Sequence, residues 1–217
     1  MQLIQINLER NAMYLQHKPM NTNPAVSAVA AKNFKRDAEV KIVFVGSVGS
    51  GKTTAVIAVS DIDVAGTEAK ATEKDALHRK PSTTVAMEYG QANLSNTKVH
   101  IYGTPGQRRF DFMASILCEG AAGIVILIDN GAEDPMAELD YFLNIHGEFL
   151  KKHPAIIGVT HYDDLNTDTG LIEYHQYCKQ YGFTVPVMRV DAREKKEVSA
   201  AVSKLLVSVN SRKESLM

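Results

Sequence analysis

What this chain has little of narrows its reading first. Its 217 residues contain two cysteines, Cys118 and Cys178, with no C-x-x-C pair. A disulfide scaffold and a cysteine-rich zinc site are therefore excluded, and both thiols are expected to be reduced and buried in a cytoplasmic protein. The formal net charge is -1, so no bulk field draws the chain to nucleic acid or to an anionic membrane, and any partner must be recognised locally. The longest apolar run, "AAGIVILI" at 121–128, falls far short of the roughly 20 residues of a membrane helix. It reads as a buried strand, and no transmembrane segment is expected. The seven histidines include no H-E-x-x-H or other close pair suited to zinc, and no G-x-S-x-G elbow occurs. Nor is there an internal repeat, and Tyr174, Tyr177 and Tyr181 recur at helical spacing that suits packing.

What is present suffices for one sizeable domain. With 45% apolar residues the chain can bury one α/β core, whereas a second full domain would be cramped. Residues 1–38 show no sustained period and are expected to be a flexible leader, without the basic and apolar regions of a signal peptide. Met20 is an alternative start, and 25–36, with Lys32, Lys35 and Arg36, an alternative amphipathic helix for peripheral membrane or partner contact. The domain is expected at 39–212 and a short tail at 213–217.

From Val40 onward, β-rich runs alternate with helical stretches. "VKIVFVG" predicts a strand, "KTTAVIAVS" a helix, and "TTVAMEYGQ" with "TKVHIYG" a hairpin turned at "ANLSN". A helix near 109–119, the strand "GIVILID", a helix over 136–152, the strand "AIIGVT", a helix ended by Gly182, the strand "TVPVMRV" and a last helix follow. Residues 61–83 are long for a connection and predict a functional loop or a loop with a short helix. Together with the glycine loop "GSVGSGKT" at 46–53 that follows the first strand, the order implies a three-layer α/β fold of the P-loop NTPase kind, a mostly parallel six-stranded sheet with one antiparallel edge strand. Right-handed crossovers place the ligand on one rim.

The chemistry begins at "GSVGSGKT", residues 46–53, which fits G-x-x-x-x-G-K-(S/T) at every fixed position. Gly46, Gly49 and Gly51 let the backbone curl so that N–H groups of Val48, Ser50 and their neighbours face phosphate oxygens. The following helix N-terminus, with Thr54 in its first turn, adds positive potential. Lys52 neutralises the β- and γ-phosphates, and the Thr53 hydroxyl suits magnesium.

A second constellation, "IYGTPGQRRF" at 101–110, ends a strand. Together with 46–53 it resembles the D-T-A-G-Q-E-R-F segment of Ras-like small GTPases. Closer still is the T-P-G-Q spelling of the MglA-type bacterial polarity GTPases and related predicted bacterial GTPases. The resemblance implies that Gly106 reports the γ-phosphate through its N–H and that Gln107 orients the attacking water. It departs at Gly103, where most relatives carry a magnesium-holding aspartate, so weakened metal binding and slow hydrolysis are expected. "STTVAMEYG" resembles the first switch, which nominates Thr84, with Thr83 as the alternative, to contact magnesium and γ-phosphate. Arg79 is a candidate arginine finger in cis, with Arg108 and Arg109 as alternatives.

For the base, "IIGVTHYDD" ends in T-H-Y-D where the family has N-K-x-D. Asp163 would accept the two hydrogens that guanine offers and adenine does not. Thr160 and His161 replace the asparagine and lysine. "VMRVDARE" stands where relatives have S-A-K, which places the Ala192 N–H at the guanine carbonyl and Asp191 in place of serine.

The resemblance thus implies a GTP/GDP-binding, Mg2+-dependent regulatory GTPase whose segments 61–84 and 103–110 rearrange on hydrolysis. It further implies effectors, and a roadblock-type activator, in bacterial polarity, motility or surface signalling. A nucleotide-locked scaffold without turnover stays open, as does an ATP-dependent kinase of a small metabolite, although no basic cluster forms a lid.

Overall fold

The computed structural model describes residues 38–66, 87–162 and 169–214. Its centre is strand β1 (Ala38–Gly46), followed by helix α1 (Lys52–Val59), the two-residue strand β2 (Ala65–Gly66), β3 (Glu88–Leu94) and β4 (Thr97–Gly103). A 3-10 turn (Arg108–Phe110) leads into α2 (Asp111–Cys118), then β5 (Gly123–Asp129), α3 (Pro135–Ile145), α4 (Gly147–Lys152), β6 (Ala155–Thr160), α5 (Thr169–Gln180), β7 (Val187–Arg189) and α6 (Lys195–Glu214). The strands form one seven-stranded sheet in the order β2-β3-β4-β1-β5-β6-β7. β1 runs parallel to β4 and β5, and β6 to β5 and β7, whereas β3 is antiparallel to β4. The six expected strands are all present, with β3 as the antiparallel one, and β2 adds a short outer pairing to β3.

Alternation along β1 builds the three layers, because successive strand side chains face opposite sides of a sheet. Ile42 and Phe44 join one core with Val56 of α1 and Val202 and Leu205 of α6. Val43 and Val45 join the other with Leu139 and Phe142 of α3 and Tyr174 and Cys178 of α5. Both cysteines are buried and unpaired, and burial pushes each thiol up to about 11. The hairpin turns at Ser95 and Asn96, both with positive φ (51° and 59°), the backbone that a two-residue loop needs to match strand twist.

The helix expected over 136–152 divides in two. Asp134 caps its start by accepting from the Ala137 N–H at 2.9 Å, and Pro135 occupies the first turn, a position that needs no amide donor. At His146 the backbone leaves helical values (φ -101°, ψ 7°) and α4 restarts at Gly147. The apolar stripe that made the two look continuous stays in one core, since Leu143 and Leu150 are both buried there.

The parallel order brings the C-terminal ends of β1, β4, β5 and β6 to one rim. In register, Phe44 pairs with Gly103, Gly46 with Leu127, and Asp129 with Thr160. Leu205, fully buried, also packs against the start of β5, where a Cβ on Gly123 would come 2.9 Å from Leu205 Cδ1. Truncation here leaves a cavity beneath the sheet. Leu205→Ala is expected to cost about 2–5 kcal/mol, read as a lowered urea midpoint with unchanged slope.

Candidate functional site

The loop at 46–53 leaves β1 and enters α1 without an intervening turn of other structure. Gly51 stands at φ 88°, and a Cβ there would come 2.8 Å from the Ala192 Cβ. Left-handed backbone and close approach both therefore require glycine at this point. No acidic residue sits in the first turn of α1, and no side chain caps it. Its N-terminal N–H groups and the positive end of its dipole remain available to an anion.

Lys52 follows, 6% exposed. Its Nζ donates to the Ser47 carbonyl at 2.5 Å and to Ser50 Oγ at 3.3 Å. Burial lowers its pKa to about 8, against the opposing charges of Glu88 and Glu138. An ammonium partly stripped of water in this way gains most from an incoming anion.

The end of β4 reaches the same place. Gly106 lies so close to the loop that a Cβ would come 2.6 Å from the Val48 nitrogen and 2.8 Å from Lys52 Nζ. Gln107 is exposed and borders a cavity of about 290 Å³ that Lys52, Thr53, Thr54 and Gly106 also line. Arg108 sits over the Tyr141 ring at 4.1 Å and Arg109 over Phe110 at 4.9 Å, so both guanidinium groups are engaged by aromatic faces.

On the other side of the loop, Thr160 is 1% exposed. Its hydroxyl lies 3.2 Å from the Ser50 and Ile128 carbonyls, which ties the end of β6 to the loop. His161 adopts φ 50°, and its exposed ring sets Nδ1 2.8 Å from Asp129 Oδ1, the carboxylate that also accepts from the Gly131 N–H. Ala192 is buried against Gly51. Asp191 is held down to about 2 by hydrogen bonds and charge from Arg193. The loop, the 103–107 segment and the ends of β6 and β7 are thus brought together. Arg79, Thr83, Thr84 and Asp163 lie outside the described residues.

One residue in the cavity went unread in the sequence. Glu88 opens β3 directly opposite Gly103 and is 9% exposed. Thr53 Oγ1 donates to its Oε1 at 2.5 Å, while Oε2 is buried without a hydrogen-bond partner. Its signal was in the strand pattern: 88, 90 and 92 take the buried phase of β3, where a carboxylate needs a reason to be.

A three-layer sheet with a G-x-x-x-x-G-K-T loop between β1 and α1, and a glycine-glutamine pair facing it, defines a P-loop nucleotide-binding domain. The class narrows with the family match. Residues 41–163, more than half the chain, match the family described as Ras of Complex, Roc, domain of DAPkinase, and the chain belongs to that family of Ras-like GTPase domains.

Among relatives, it is 34% identical over 95 residues to an uncharacterized protein of Methanocaldococcus jannaschii, covering 44% of this chain and 53% of that one. It is 23% identical to Ras-related protein Rab-18 of Lymnaea stagnalis, covering 54% of each. Rab-5B of Plasmodium falciparum is also 23% identical, over 83% of each chain. The chain spans about half the length of the first two. Among solved structures, bacterial selenocysteine-specific elongation factor EF-Sec superposes with TM-score 0.57 at 19% identity, over 79% of this chain and 29% of that one. The cytosolic domain of T. maritima FeoB in its GMPPNP form gives TM-score 0.54 at 17% identity, over 78% and 64%. These two likenesses show the fold.

The lowered pKa of Lys52 has a consequence for stability. Between about pH 8 and its unfolded value near 10.5, the unfolded chain holds a proton there that the folded chain has released. The Lys52 contribution to the stability of the nucleotide-free protein therefore rises with pH across that window, while the raised Cys118 and Cys178 thiols act in the opposite direction near pH 9 and above. The contribution is read as a difference: from about pH 7.5 to 9.5 the urea midpoint of the wild type is expected to gain on that of Lys52→Met.

Proposed function

We propose that this chain is a guanine-nucleotide switch that binds GTP with Mg2+, hydrolyses it to GDP and phosphate, and signals through altered partner binding. The observation that carries the reading is the seating of Gly106 against the Val48 nitrogen and Lys52 Nζ, with Gln107 next in line on the same cavity. A phosphate entering among these groups must displace or engage the 103–107 segment, and its removal frees that segment again. That is the coupling a γ-phosphate switch needs.

The division of labour follows from the groups present. Loop N–H groups and the α1 N-terminus hold phosphate oxygens, Lys52 offsets their charge, and Gln107 orients a water for attack. Residues of the cavity fit a magnesium ion: Thr53 brings a hydroxyl, and the partnerless buried oxygen of Glu88 brings a hard anionic donor. Magnesium keeps waters and nucleotide oxygens as most of its ligands, so few protein donors are needed. Bound with the nucleotide, magnesium supplies charge neutralisation at the β- and γ-phosphates. Thr84 completes that set in this reading, and Arg79 serves as the finger.

Base choice is assigned to Asp163, together with Ala192 and His161. Thr160 contributes indirectly, by holding the loop. Partner binding is assigned to 61–84 and 103–110. Phe112 and Ile116, each 59% exposed on α2, extend the second segment with apolar surface and support that assignment. The T-P-G-Q spelling favours the MglA-type relatives, a roadblock-type activator and a cytoplasmic role in bacterial polarity, motility or surface signalling. Among the described residues no helix is long and apolar enough to cross a membrane.

Competition between GTP and ATP for the purified protein tests the reading, and preference for ATP would remove the Asp163 assignment. Asp163→Asn is expected to weaken GTP by roughly 5- to 150-fold, about 1–3 kcal/mol for a mispaired buried group, and to strengthen xanthosine triphosphate. Gln107→Leu is expected to slow single-turnover phosphate release by about 10²-fold with GTP affinity unchanged. Absence of release from the wild type, with and without a candidate activator, would leave the chain a nucleotide-bound scaffold.

A further inference from the structure

We propose that Glu88 is the carboxylate of this chain's magnesium site, delivered from β3 across the sheet into the space that a side chain on Gly103 would occupy. The proposal rests on the reading of the cavity as a magnesium-nucleotide site and assigns it a residue that the resemblance does not.

The geometry is specific. Glu88 and Gly103 are directly paired in the antiparallel β3–β4 ladder, and directly paired residues project to the same face. A Cβ built on Gly103 would come 3.5 Å from the Glu88 Cβ, 3.3 Å from its Cδ and 2.3 Å from its Oε2. The carboxylate thus fills the volume into which a short acidic side chain at 103 would point. Glycine at 103 and glutamate at 88 are two halves of one arrangement. With any larger residue at 103, the Glu88 carboxylate has to shift.

The polar chemistry agrees. Glu88 is 9% exposed, and buried carboxylates are rare unless something compensates them. Oε1 accepts from the Thr53 hydroxyl at 2.5 Å, but Oε2 is buried with no partner. A threonine hydroxyl that gives its lone pair to a cation must place its proton on another acceptor. Oε1 already takes that proton, and Glu88 lines the same cavity as Thr53, Lys52 and Gln107, with Oε2 buried beside Gly103. The Lys52 ammonium feels the Glu88 charge, yet its Nζ is committed to Ser47 and Ser50. A divalent cation with its waters satisfies the remaining oxygen, and the Asp-to-Gly departure at 103 ceases to be a loss.

The test uses the full chain loaded with a fluorescent GDP analogue, whose release rate is followed while free Mg2+ is titrated. A Glu88→Gln variant, near-isosteric, is expected to need at least about 10-fold more Mg2+ for half-maximal retention of nucleotide. Its retention without Mg2+ should not fall, because the variant removes a negative charge from the cavity that takes the phosphates. The swap Glu88→Ala with Gly103→Asp should restore the Mg2+ half-point towards the wild-type value, well below that of Glu88→Ala alone. Melting curves confirm folding, and the swap decides by the same criterion if Glu88→Gln does not fold. A Glu88→Gln half-point equal to the wild type's, or a folded swap no better than Glu88→Ala, overturns the proposal while leaving the nucleotide site standing. A wild-type chain that binds no guanine nucleotide overturns both readings.

Discussion

Lys52 keeps its ammonium inside the protein, held by a carbonyl and a hydroxyl of its own loop, Ser47 and Ser50. A cation in that position is costly without an anion, because burial strips its water faster than two neutral oxygens can replace it. The surrounding arrangement follows from that constraint. The loop must curl tightly enough to aim N–H groups and the lysine at one point, which fixes Gly51 at positive φ and leaves no room for a side chain against Ala192. It must also stay in place while a strongly charged ligand comes and goes, and Thr160 ties it to the end of β6 from behind.

The negative charge of the site obeys the same economy of space. A carboxylate belongs beside Thr53, and the sheet supplies it from β3 instead of from the end of β4. Glutamate, one methylene longer than aspartate, can cross from one strand into its neighbour's territory, provided the neighbour gives up its own side chain. Both Lys52 and Glu88 are thus buried charges facing one cavity, a combination that favours binding over stability.

Motion in such a site is confined by contact. Gly106 rests on the loop with less space than a methyl group requires, so the 103–107 segment cannot shift towards the loop and can only move away. Beyond it, α2 carries the exposed apolar side chains Phe112 and Ile116. In the proposed switch, ligand and surface are coupled by this proximity along the chain, without a long path through the core.

The three layers, the hairpin, the buried cysteines and the phosphate loop were legible in the sequence, because each depends on local pattern. Period-2 and period-3.6 apolar spacing, turn residues at Ser95-Asn96 and the fixed spacing of 46–53 act over a few residues at a time. The split at His146 was not legible, since the apolar stripe continues through it into the same core. Nor was the standing of Thr160, which reads as a weak replacement for asparagine yet proves to be buried between two main-chain carbonyls. Gly103 read as a missing ligand for the same reason. By itself the sequence determined which groups the chain has for phosphate. Only the tertiary structure decided where the carboxylate comes from, because strand register sets which residues share one side of a sheet, and pairing Glu88 with Gly103 is a property of two strands and of neither alone.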